Sequence, residues 1–141
     1  MTVSSSITVD FLGLHHFVSV TNVARNIVRD TAASIGLLNL CIYHTTAALV
    51  TMEYDAGVIA DVTKWIRGQF PLGQEYRHHR KGFDMNGAAH VGCSVLGTSL
   101  NLNVLNGDIV LGRYQDVVAI NLQAAARPIS IGVIFVGEKA E

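Results

Sequence analysis

Charge is what this sequence has least of. Asp, Glu, Lys and Arg together make up 15% of the chain, well under the roughly one quarter usual for soluble domains. Half of the residues are hydrophobic, and a domain of this size has limited interior in which to hide them. An apolar face buried between copies of the chain is therefore expected, making the protein a homo-oligomer. The two charge signs nearly cancel, to a formal −1 at pH 7, which argues against the basic face of a dedicated nucleic-acid binder. No run of about 20 apolar residues is present, so no segment is expected to span a membrane as a helix. The opening MTVSSSITVDF has neither the basic start nor the apolar centre of a signal peptide. Cysteine is scarce too: Cys41 and Cys93 form no CxxC pair and are too few for a disulfide scaffold. Both are expected as small buried hydrophobes in a reducing cytoplasm. With 141 residues, one domain over 1–141 is expected, large enough for a core without disulfide or metal support.

What is present is well patterned. ITVDFL (7–12) and HFVSVTN (16–22) alternate as strands do and meet around Gly13. Asn22 is placed to cap a helix whose apolar face is Val23, Ala24, Ile27 and Val28, with Gly36 to stop it. LLNLCIYHTT (37–46) is so continuously apolar that it reads as a buried central strand. Asp55 opens a second helix with Val58, Ile59, Val62, Trp65 and Ile66 at helical spacing, ended by Pro71 and Gly73. A polar connection over 71–88 follows, long enough to point to function or mobility. AAHVGCSVLG (88–97) suggests a short helix. In SLNLNVLNGDIVLGRY, apolar residues alternate on both sides of Asn106-Gly107, which supplies the two positive φ angles of a tight hairpin. DVVAINL (116–122) and ISIGVIFVGE (129–138) add two strands. The sum is an α+β fold of about seven strands and two or three helices.

Histidine carries the chemistry. Of six, His15 and His16 fall in a turn and are expected at solvent. His44 ends an apolar strand, His90 opens the short helix, and His78 and His79 lie in the connection between. Three imidazoles from a strand end, a loop and a helix start can converge on a divalent metal with one position left open. No HExxH or HxH spacing marks them, so buried hydrogen-bonded histidines remain the alternative. Glu53, at the other end of IYHTTAALVTME from His44, either supports the first turn of the second helix or serves as an acid or base in the same pocket. RHHRK (77–81) is a compact positive cluster, a solvated loop or an anion site built on arginine forks. No glycine pattern matches a P-loop or dinucleotide fingerprint, and no GxSxG is present.

Taken together, HTTAAL (44–49) with Glu53, YRH (76–78), DMNGAAH (84–90), LGTSLNLNVLNGDIVLGRYQ (96–115) and VGE (136–138) resemble the YjbQ family. The most specific part is Ser99, an alternating strand, Gly107, then Gly112 before the aromatic-Gln pair Tyr114-Gln115. The resemblance implies an α+β sandwich, a homotrimer and pockets near subunit boundaries. It also implies a secondary thiamine-phosphate synthase activity, which joins two phosphorylated precursors and expels pyrophosphate. Such a reaction calls for positive charge and a divalent metal, zinc being the candidate. Carried across, the family's histidines fall on His44, His78 and His90 as metal ligands. Glu53 and Asp84 would handle protons, and Asn86, Ser99, Arg113, Gln115 and Arg127 would hold a small phosphorylated ligand. His79 is expected to point elsewhere, as neighbours on an extended loop do.

Two departures stand out. Arg113 and Tyr114 replace the family's Thr-Trp before Gln115, which makes Arg113 the first candidate for a phosphate contact. Asn121 and Gln123 stand where the family carries carboxylates, and amides can neither act as bases nor neutralise a cation. Two functions stay open: a metal-assisted enzyme of phosphorylated small molecules, or a trimeric metal- or ligand-binding protein that lost the chemistry.

Overall fold

The computed structural model describes every residue except Phe83, and every side chain except those of Lys81 and Phe83. The elements run β1 (Thr2–Phe11), β2 (Phe17–Ser19), α1 (Thr21–Asp30), β3 (Ala33–Ile42), β4 (Ala47–Met52) and α2 (Ala56–Gln69). A 3-10 helix (Arg77–Lys81) leads into α3 (Gly87–Leu96), followed by β5 (Ser99–Leu105), β6 (Asp108–Ile109), β7 (Asp116–Asn121) and β8 (Arg127–Lys139). Among the described residues, eight strands and three α-helices make the α+β fold expected from the sequence.

The strands form two antiparallel sheets, one ordered β1-β8-β3-β5-β6 and the other β2-β7-β4. Alternation along β1, β3, β5 and β8 turns one face of the larger sheet inward, including Ile7, Leu38, Leu40, Val104, Ile131 and Phe135. That face packs on Leu49, Val117 and Ala119 of the smaller sheet and on Ala24 and Val28 of α1. The other face of the smaller sheet, with Ala48, Val118 and Ile120, lies against Ile66 and Phe70 at the end of α2 and Ala89 and Cys93 of α3. β7 is therefore covered on both sides and buried from Val117 to Asn121.

Burial on both faces thus belongs to β7, not to 37–46. β3 is central in its sheet but exposes alternate residues, because nothing among the described residues covers the outer face. There Ile35 pairs with Leu105 and Leu37 with Val136, and all four side chains are about half exposed. Two helix signals also moved. Val20, not Asn22, occupies the cap position of α1. Thr21 Oγ1 instead accepts from Val117 N–H (2.9 Å) and donates to Asp116 (2.8 Å), fastening α1 to β7. Gly36 lies inside β3, where a Cβ would fall 2.4 Å from the Val136 carbonyl; it is a packing glycine. Asp55 does cap α2, accepting from Val58 N–H at 3.1 Å. Asn106 and Gly107 have φ of 53° and 77° and join Leu105 directly to its partner Asp108.

Candidate metal centre

α3 begins where the basic connection comes back to the sheet. Its first turn closes with His90 N–H donating to the Asn86 carbonyl (3.2 Å). The His90 ring then reaches the bend before β4 and meets the Thr45 carbonyl through Nδ1 (3.0 Å). A carbonyl only accepts, so the proton sits on Nδ1 and the Nε2 lone pair is left for a ligand. His78, on the 3-10 helix, lies edge-on to His90 with ring centroids 4.6 Å apart. Its Nε2 is 2.7 Å from Asp84 Oδ1. Ligand-capable atoms of His78, Asp84 and His90 all lie within 4.8 Å of one another, on partly exposed side chains.

Two imidazoles and a carboxylate with an open side form a donor set that suits zinc and related divalent metals. The His90–Thr45 contact is the outer hydrogen bond that fixes the tautomer of a ligating histidine. The residues present fit a metal ion. Compared with the expected triad, Asp84 joins His78 and His90, and His44 stands outside the group. His44 is exposed and lines a groove of about 400 Å³ with His90, Thr45, Ser94 and Thr98. Sequence spacing could not separate these roles, since they depend on how the 3-10 helix folds back on α3.

The remaining candidates divide between two ends of β4 and β7. Ser99 opens β5 opposite Cys41, next to the groove. Asn86 holds the α3 turn with its backbone, and its buried side-chain oxygen has no partner. Glu53 lies beyond the far end of β4; six extended residues put it about 20 Å from His44. The two do not share a pocket within one chain. Gln115 and Arg113 precede β7 at that same far end, because Asp116 pairs with Met52. Gln115 closes a turn by accepting from Gly112 N–H (2.8 Å). Arg113 is exposed over the Tyr114 ring, so within the chain it is not the arginine beside the histidines.

Arg127 is at the histidine end. Its Nη2 donates to Thr46 Oγ1 at 2.6 Å and approaches Asn121 Oδ1 at 3.5 Å. Oriented by its neighbours, the Gln123 amide accepts from Arg127 Nε and Nη1 and donates to Thr46 Oγ1, all at 3.2 Å. Among the described residues no ion pair reaches Arg127, and burial pulls its pKa below the usual arginine value. Asn121 is fully buried and donates to the carbonyls of Gly13, Gln123 and Ala125. The amides of Asn121 and Gln123 thus form a neutral cage around one guanidinium.

His79 and the turn histidines hold structure. His79 Nε2 accepts from Gly87 N–H at 2.9 Å. His16 Nδ1 accepts from Leu12 N–H (3.0 Å). His15 is half-buried, not at solvent, and burial together with the Arg67 charge pushes its pKa down. Cys93 is buried and Cys41 half-buried.

A two-sheet α+β sandwich with a two-histidine, one-carboxylate group at its rim defines a small protein with a candidate metal-ion site. The chain belongs to the YjbQ family: the family model for UPF0047 protein YjbQ-like matches residues 5–137. A UPF0047 protein of Archaeoglobus fulgidus is 30% identical over 100 residues, which cover 71% of this chain and 78% of the relative. YjbQ of Salmonella typhimurium is 37% identical over 83 residues, 58% and 59% of the two chains. Among solved structures, a YbjQ-like protein of unknown function from Sulfolobus solfataricus superposes with a TM-score of 0.92 at 25% identity, over 98% of this chain and 99% of that one. A YjbQ/UPF0047 protein of Clostridium acetobutylicum gives 0.85 at 23%, over 94% and 99%, a likeness of fold.

Proposed function

We propose that the protein holds a divalent metal ion, zinc being the first candidate, on His78, His90 and Asp84. With it, the protein acts on phosphorylated small molecules in the manner of a weak thiamine-phosphate synthase. The observation that carries the reading is the convergence of three ligand atoms within 4.8 Å while His90 is anchored by its other nitrogen. A bound metal would supply the Lewis acidity that offsets charge on a departing pyrophosphate. His44, beside His90 in the groove, is the ionisable group left to move a proton, the role first given to Asp84. Arg127 supplies positive charge at the same end of the sheets. The working form is a cytoplasmic homotrimer, and the outer face with Ile35, Leu37, Ile134 and Val136 supports it. In such a ring, Glu53, Arg113 and Gln115 can serve a site completed by another copy.

The second reading, a trimeric binding protein without turnover, is favoured by one observation: among the described residues the cage around Arg127 is made of amides and offers no acid. Thiamine-phosphate formation with and without added zinc, in wild type and His78→Ala, tests both. Metal-dependent turnover lost in the variant is expected. Tight zinc uptake with no turnover would leave the binding reading, and no uptake would remove the metal-assisted enzyme.

A further inference from the structure

The 3-10 helix that carries His78 has five residues, too few to hold a position alone. What fixes it is the neighbouring histidine. His79 Nε2 accepts from the N–H of Gly87, the first residue of α3. That donor is one of the groups a helix start leaves without an internal partner. The residue in the usual capping position, Asn86, makes no side-chain capping bond. His79 therefore caps α3 from eight residues upstream. Tyr76 packs on it with ring centroids 5.4 Å apart and donates its hydroxyl to the Pro71 carbonyl.

The join is tight. A Cβ at Gly87 would fall 2.6 Å from Tyr76 Cβ and 2.9 Å from His79 Nε2, closer than heavy atoms approach. With three residues per turn, successive side chains of a 3-10 helix diverge by about a third of a turn. His79 can thus grip α3 while His78 faces His90 and Asp84. The extended loop expected from the sequence is absent, but the divergence of the two rings remains.

We infer that His79 is a positioning residue: its hydrogen bond to Gly87 sets the distance between His78 and His90, and through it the affinity of the proposed centre for a metal ion. The inference rests on that centre for its second half only, since the ring placement exists without metal.

Two readouts separate the halves. In nitrogen-15-labelled protein, scalar coupling between Gly87 N and His79 Nε2 and a ring-to-ring NOE between His78 and His90 report the geometry. Titration with zinc alone reports affinity. Wild type should show both NMR signals. His79→Ala should lose the NOE and bind zinc about tenfold or more weakly, the usual scale for an outer partner of a ligand. His79→Gln places an oxygen three bonds from Cβ, as Nε2 is, and should recover affinity to within about threefold. Gly87→Ala, harmless to a helix as such, should behave as His79→Ala does. Thermal midpoints measured alongside separate local displacement from unfolding. The inference is overturned if His79→Ala keeps the NOE, or if His79→Gln binds no better than His79→Ala. Wild type that shows the NOE but takes no zinc would remove the proposed centre and leave the positioning role standing.

Discussion

Replacing the two amides by acids should have opposite effects at positions 121 and 123. Asn121 exposes none of its surface, and its Nδ2 faces three carbonyl oxygens at 2.8, 2.9 and 3.1 Å. In Asn121→Asp the two N–H donors shared among these carbonyls vanish, each worth about 1 kcal/mol. A carboxylate then faces carbonyl oxygens, with Arg127 Nη2 only as near as 3.5 Å. The expected loss is about 3–5 kcal/mol, the scale of an imperfectly compensated buried charge and a large part of a small domain's stability. Gln123→Glu is nearly isosteric, and its carboxylate would meet Arg127 Nε and Nη1, which stand 3.2 Å from the present amide oxygen. Thr46 can turn its hydroxyl to donate. Both side chains are partly exposed, so the gain is discounted to about 0.5–1 kcal/mol. The arginine lowers the folded-state pKa of the introduced carboxylate. The gain is therefore full above its unfolded value near about 4.3 and lost as pH falls through the lower folded value. Urea unfolding of both variants from pH 7 to pH 3 measures this. Asn121→Asp as stable as wild type, or Gln123→Glu less stable at pH 7, would refute the neutral cage.

Three further outcomes follow from local geometry. Asp108 is partly desolvated, which would raise its pKa, but hydrogen bonds and the charges of Arg29 and Arg25 bring it below the usual value. Its contribution is present above about pH 3.9 and lost on acidification through the lower folded pKa, and Asp108→Asn should cost under about 1 kcal/mol at this exposed pair by chemical denaturation. Burial, only partly offset by a backbone hydrogen bond at Ala47, raises the Cys93 pKa, so a thiol reagent at pH 7.5 should label Cys41 well before Cys93. Equal rates would contradict the packing of α3. His44→Ala should change zinc affinity by less than about threefold, whereas His78→Ala should lower it about a hundredfold. The reverse order would return His44 to the ligand set.

Elements whose signal is local were legible in the sequence. Asn106-Gly107 permits few alternatives to a two-residue turn, and Asp55 marks α2 because capping involves neighbours. Asn22 and Gly36 misled because their surroundings are distant: Thr21 answers to Asp116 and Gly36 to Val136, each about two thirds of the chain away. The continuous apolar run over 37–46 looked buried on both faces because composition does not distinguish a covered face from an uncovered one. His78 and His90 were expected as ligands together, but with His44 as the third and with Asp84 moving protons; the structure groups Asp84 with them instead. The fold of the 3-10 helix places Asp84 beside His78, and six residues of β4 carry Glu53 away from His44.

The most direct measurement is anomalous scattering at the zinc edge from crystals grown with zinc. One peak is expected about 2.0–2.2 Å from Nε2 of His78, Nε2 of His90 and a carboxylate oxygen of Asp84. A peak held by His44 without Asp84, or no peak at this group under saturating zinc, would contradict the account.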